Sequence, residues 1–154
     1  MKSDRLLSRI VRLILAPAGL AMLLCRPGYP GDSVSLEITV SGVNPGEGKV
    51  VLSLFDSEQT FLQSPAIDLV QDVEDLTVVT FLVEDLAPGE YAVSTYYDKN
   101  GNNELDTGIF GKPAEPVGFS NNAKGFFGPP GFDKVSFVLK QNSSMEIQLI
   151  DLES

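Results

Sequence analysis

From residue 33 onward the chain alternates apolar and polar residues. Val34, Leu36, Ile38 and Val40 are separated by Ser35, Glu37 and Thr39. That period of two describes a strand with one face on a core and the other in water. Asn44-Pro45-Gly46-Glu47-Gly48 is turn chemistry, and Val50, Leu52 and Leu54 open a second strand. Residues 56–66 read as a polar connection with a helical turn near Glu58 to Leu62. Residues 67–73 give a weaker third strand, and residues 76–84, rich in Val, Thr and Phe, a strong fourth. Leu86-Ala87-Pro88-Gly89 predicts a tight turn, with Pro at its first corner and Gly at positive φ at its second. Tyr91, Val93, Thr95 and Tyr97 mark a fifth strand, and residues 134–140 and 144–150 the last two. With no amphipathic helix among them, these elements predict an all-β fold. The expected form is a single antiparallel β-sandwich of about seven strands, immunoglobulin-like or transthyretin-like.

The first 31 residues follow a different pattern. Lys2, Arg5, Arg9 and Arg12 precede an apolar stretch from Leu13 to Leu24, and Asp4 is the only acid before Asp32. A basic segment followed by a short apolar one is the signature of a secretory signal peptide. The stretch is interrupted by Pro17 and falls short of the about 20 apolar residues a spanning helix needs. Gly19-Leu20-Ala21 and Gly31-Asp32-Ser33 both offer small residues to a signal peptidase. Bulky Met22-Leu23-Leu24 before Cys25 argues against lipidation of that thiol. The expected organisation is a signal peptide and short leader over 1–31, then one domain over 32–154. The destination is the periplasm, the cell envelope or the exterior.

Composition then narrows the chemistry. The 154 residues include no His, no Trp and one Cys, and the formal net charge is −10. Without His there is no Ser-His-Asp or Cys-His pair. One Cys without His builds no zinc, haem or iron–sulfur site and no internal disulfide. Five of the 11 basic residues and one of the 21 acids precede residue 32, which leaves the rest at −14. Such a balance argues against nucleic acid. The expectation is a non-enzymatic binding or structural module of the envelope or exterior, with an unidentified partner there and no stable membrane span in its mature form. The alternative is a carboxylate-dependent hydrolase, for example on glycans, working with two of Asp98, Glu104, Asp106 and Glu115 at about 5–9.5 Å separation. A short Asn-Gly loop offers little of the concave pocket such an enzyme needs.

Residues 98–106, Asp-Lys-Asn-Gly-Asn-Asn-Glu-Leu-Asp, carry oxygen-bearing side chains at relative positions 1, 3, 5 and 9. That spacing matches the first nine positions of an EF-hand calcium loop, which also uses a backbone carbonyl at position 7. The candidate calcium ligands are Asp98, Asn100, Asn102, Glu104 and Asp106, with Leu105 expected to pin the loop to the core. Asn103 occupies the usual Gly position, and Ile109 stands where a bidentate Glu is usual. Glu115 is an acid that could fold in from outside the loop. The competing reading is a solvated hairpin loop shaped by Asx-turns. The four-position match favours calcium, at the about 10⁻⁴–10⁻³ M affinity of extracellular modules.

Residues 107–133 hold six Gly, four Pro and five of the nine Phe. This composition excludes a helix or regular strand, while the Phe content speaks for an ordered loop. One reading has its Phe residues plugging the open end of the core. The other has Phe119, Ser120, Asn121, Asn122, Phe126 and Phe127 forming a ligand or partner surface. The plug is favoured, because an ordered loop must bury something.

Several landmarks occur together in order. Leu86-Ala87-Pro88-Gly89-Glu90-Tyr91-Ala92-Val93 leads into the 98–106 loop. Gly118-Phe119-Ser120-Asn121-Asn122-Ala123 and Gly128-Pro129-Pro130-Gly131-Phe132 follow. From about Val34 to Ile150 this series resembles the bacterial secreted family of domain of unknown function 2141. The resemblance implies a small exported β-sandwich and carries no assigned activity. Family members tend to have Gly at the place of Asn103, so the resemblance implies a slightly atypical ion loop here.

Overall fold

The computed structural model describes residues 33–46 and 48–152. The signal peptide and leader expected over residues 1–31, with Cys25, lie outside the described residues. The fold is all-β, and the described residues form eight strands in two sheets: β1 (Val34–Ser41), β2 (Lys49–Phe55), β3 (Ile67–Asp72), β4 (Val78–Leu86), β5 (Gly89–Asp98), β6 (Val117–Phe119), β7 (Phe137–Leu139) and β8 (Ser143–Gln148). One short helix, α1 (Phe132–Val135), precedes β7. Among the described residues no helix is long and apolar enough to cross a membrane.

The three-stranded sheet runs β4-β1-β8, and the five-stranded sheet runs β3-β2-β5-β6 with β7 also paired to β5. The alternation along each strand decides which side chains turn inward. Leu36, Ile38 and Val40 of β1, Val79, Phe81 and Val83 of β4, and Ile147 of β8 meet Val50, Leu52 and Leu54 of β2 and Val93 and Tyr97 of β5 in one core. A second, smaller cluster lies on the opposite face of the five-stranded sheet, since Phe55 and Ala92 alternate with inward Leu54 and Val93. Phe61, Phe119 and Phe132 pack there, with Phe61 edge-on to Phe55 at 5.3 Å and to Phe132 at 5.7 Å.

Several expectations are corrected. The pairing is not wholly antiparallel: β8 lies parallel to β1 from Leu36↔Ser143 to Ser41↔Gln148. Alternation fixes which face a strand buries but not the direction of its neighbour. Lys134 and Val135 belong to α1 rather than to a strand starting at Lys134. Val117–Phe119 forms a short strand within the stretch expected to contain none, because Gly118 carries no Cβ to strike Ile147 Cγ2, only 2.7 Å from where it would sit.

The connection from β4 to β5 passes from one sheet to the other, so Leu86-Ala87-Pro88-Gly89 is no hairpin turn. Gly89 already pairs with Leu139 as the first residue of β5. The left-handed residue is Asp85, with φ of 58°, beside a one-residue register slip between Val34 and Leu36 that marks a β-bulge. The Tyr91 hydroxyl donates to the Ala87 carbonyl at 2.7 Å. A tyrosine bonded a few residues back across a sheet-to-sheet corner is a device known from immunoglobulin-type domains. In Tyr91→Phe the ring still packs while the bond is lost, so unfolding stability should fall by about 1 kcal/mol. Urea denaturation would show this as a lower midpoint at constant slope, and an unchanged midpoint would mean that the corner does not depend on the hydroxyl.

Candidate functional site

Asp98 ends β5 opposite Lys49 of β2 and is 0 % exposed. Its Oδ1 accepts the Gly101 N–H at 2.7 Å and the Asn102 N–H at 3.2 Å, and its Oδ2 accepts the Asn103 N–H at 2.7 Å. Three main-chain donors on one carboxylate curl the chain tightly, and Asn103 takes the positive φ of 63° that the curl demands. Further on, Asn100 Oδ1 accepts the Asn102 N–H at 3.0 Å and Asn102 Oδ1 accepts the Glu104 N–H at 2.8 Å, which are Asx-turns. The Asn100 and Asn102 carboxamides both donate to the Asp106 carboxylate, at 2.6 and 3.1 Å.

The side chains at relative positions 3, 5 and 9 therefore converge, and position 1 anchors the turn beneath them. Glu104 is exposed and joins the network through its N–H. Leu105 is 38 % exposed, so it does not pin the loop as expected. That role falls to Glu115, which is almost fully buried. Its Oε1 accepts the Lys99 N–H at 2.8 Å and its Oε2 the Asp106 N–H at 3.2 Å, clamping both ends of the loop. Sequence spacing offered Glu115 only as an acid from outside the loop; its neighbour Pro116, whose carbonyl accepts the Tyr97 N–H at 2.9 Å, sets it beside β5.

Two carboxylates and two carboxamides are thus brought to one turn, with the carboxamide NH2 groups on Asp106 and their oxygens on main-chain N–H groups. Among the described residues no group of three or more His, Cys, Asp or Glu side chains is placed to hold a metal ion. Tyr96, on β5 beside this loop, has its hydroxyl pKa raised by burial first and then by the negative charges of Asp98 and Glu115.

The second candidate region divides sharply. Ser120 is buried: its hydroxyl donates to the Val135 carbonyl at 2.6 Å and accepts the Val93 N–H at 2.9 Å. Asn121 and Asn122 adopt φ of 60° and 49°. The Asn121 carboxamide donates to the carbonyls of Lys134 and Ser136 at 3.1 and 3.0 Å. The Asn122 carboxamide accepts the Gln148 N–H at 2.8 Å and donates to the Glu146 carbonyl at 3.3 Å. Instead of facing a ligand, Ser120-Asn121-Asn122 directs its polar groups onto main chain, and Phe119 packs in the second apolar cluster.

Phe126 and Phe127 stand 92 % and 97 % exposed, edge-to-face with ring centroids 4.8 Å apart. Phe110, with φ of 65°, is fully exposed as well. Of the five Phe residues of the loop, only Phe119 and Phe132 pack against an apolar cluster. Even these cover the outer face of the five-stranded sheet rather than an open end of the main core.

The family model described as an uncharacterized protein conserved in bacteria (DUF2141) matches residues 38–148. The chain belongs to this family. No curated protein and no solved structure matches it. The DUF2141 span runs from within β1 to the end of β8 and takes in both candidate regions. For this DUF2141 chain, Asp98→Ala would strip three N–H groups of their acceptor. We expect a loss of about 2–3 kcal/mol of unfolding stability by urea denaturation. A loss no larger than that of Glu104→Ala, at an exposed side chain, would show that the carboxylate is dispensable to the loop.

Proposed function

We propose that this DUF2141 protein is an exported, non-enzymatic β-sandwich module of the immunoglobulin-like or transthyretin-like kind. In this reading it works in the periplasm, the cell envelope or outside the cell, and presents its Gly/Pro/Phe loop to a partner there. The observation that carries the reading is the exposed Phe126–Phe127 pair on the 107–133 loop, since apolar side chains held in water on an ordered loop mark a binding surface. Supporting it, the buried carboxylates Asp98 and Glu115 accept main-chain N–H groups, a structural duty. Weak calcium binding by Asp98, Asn100, Asn102 and Asp106, with the Glu104 carbonyl as a fifth ligand, completes the proposal. The ion would displace the carboxamide donors from Asp106 and steady the loop.

The binding surface is tested with isolated bacterial envelopes. The full chain should sediment with them, while a Phe126→Ser, Phe127→Ser double variant stays in the supernatant with an unchanged melting temperature. Equal sedimentation of the two proteins would refute the loop as the contact.

The calcium site is tested separately by melting the full chain with calcium up to about 10 mM, roughly ten times the weaker end of the expected affinity range. Binding to the native state raises the midpoint by mass action. Asp106→Ala, whose lost bonds are to exposed Asn amides, should abolish the rise while leaving the calcium-free midpoint near that of the parent. No rise, or an equal rise in the variant, would remove calcium from the proposal.

A further inference from the structure

A sheet edge presents unpaired N–H and C=O groups, and folded proteins guard such edges with charge, short length, Pro, bulges or a covering segment. Most edges here are guarded. On the outer side of β8, the Asn122 carboxamide bonds Gln148 N–H and Glu146 C=O as a neighbouring peptide group would. At the other side of the molecule β3 is six residues long and carries Asp68 and Asp72. Val117 of β6 exchanges main-chain bonds with Ile150 at 3.0 and 2.8 Å.

The edge of β4 is different. It is nine residues long and pairs along one side with β1. No described residue bonds its other side. From Thr77 to Val83 the sequence is Thr-Val-Val-Thr-Phe-Leu-Val, with no charge, no Pro and no Gly. Outward-facing Val78 and Leu82 are exposed, Leu82 at 57 %. The only bulge lies beyond this run, at Asp85.

Charge selects the occupant. Glu74 and Asp75 precede the neutral run and Glu84 and Asp85 follow it. Two copies pairing antiparallel about a two-fold axis near Thr80 would bring the acidic start of the run in each, Glu74 and Asp75, towards the acidic end, Glu84 and Asp85, of the other, and the whole chain carries −10. Like charges directly opposite destabilise such a pairing. We propose that β4 is a docking edge that accepts an extended segment of a partner polypeptide, β-branched or apolar in its centre and flanked by Lys or Arg. Main-chain bonds to β4 would supply affinity, and the acidic flanks would supply direction and register. This edge is independent of the Phe loop, so either assignment can fail alone.

The probe is a fluorescein-labelled synthetic peptide, Lys-Lys-Thr-Val-Thr-Val-Thr-Lys-Lys, titrated with the full chain at low salt and followed by anisotropy. It should bind, and hydrogen exchange should slow at the amides of β4. Placing Pro at the central position of the peptide should abolish binding. Neutralising the flanks in a Glu74→Gln, Asp75→Asn, Glu84→Gln, Asp85→Asn variant should weaken it by about tenfold through loss of cross-strand charge pairs. Phe126→Ser, Phe127→Ser should bind the peptide as the parent does. Equal binding of the Pro-containing peptide, or no slowing of exchange in β4, would overturn the edge as the site. So would a dimer in sedimentation velocity that Leu82→Lys dissolves, because the occupant would then be a second copy.

Discussion

The Ser120 hydroxyl accepts the Val93 N–H of β5 and donates to the Val135 carbonyl at the end of α1. Both bonds are buried, and a buried donor or acceptor left without its partner costs far more than a surface bond gains. The hydroxyl thereby fixes where the chain leaves β6 and where α1 rests. Its neighbours extend the same function in two directions. Gly118 lets β6 approach Ile147 of β8, and Asn122 bonds the outer side of β8. Within five residues the five-stranded sheet, the helix and the three-stranded sheet are tied together. Each residue of the Gly-Phe-Ser-Asn-Asn segment thus has its own main-chain or packing duty, Phe119 in the second apolar cluster and Asn121 on the Lys134 and Ser136 carbonyls.

The 98–106 loop follows a related principle with charge in place of a hydroxyl. Asp98 and Glu115 are buried carboxylates whose bonding partners are N–H groups, three for Asp98 and two for Glu115. Because main chain holds the turn, Asn100, Asn102 and Asp106 are gathered at its mouth, where the two carboxamides donate to the Asp106 carboxylate.

Much of the fold was legible from period-two alternation. β1 to β5 lie close to their expected places because each has several residues facing a core, and a repeated pattern is hard to mistake. β6, α1 and β7 are three or four residues long, too short for any period to register. The parallel union of β1 and β8 was invisible because it joins residues more than 100 positions apart. At the 98–106 loop, spacing singled out Asn100, Asn102 and Asp106, whose side chains converge, and Asp98, which anchors the turn beneath them. It misassigned Leu105 as the anchor, since an apolar residue does not reveal that a carboxylate further along performs its task. Ser120-Asn121-Asn122 looked like ligand chemistry because polar side chains that bond main chain are indistinguishable in sequence from those that bond solutes.

The parallel pairing of the first strand with the last also governs when the fold can be completed. Strand β1 spans residues 34–41 and its partner β8 residues 143–148. A chain emerging from its N-terminus can zip β1 to β4 early, but the opposite margin of β1 stays open until nearly the whole sequence is available. Closing so long a loop before any contact rewards it is entropically slow. The half-built sheet therefore exposes β1 on one side and the uncharged run of β4 on the other for the whole of that interval. Assembly of this domain is a race between the arrival of its own C-terminus and capture of those bare margins by another strand.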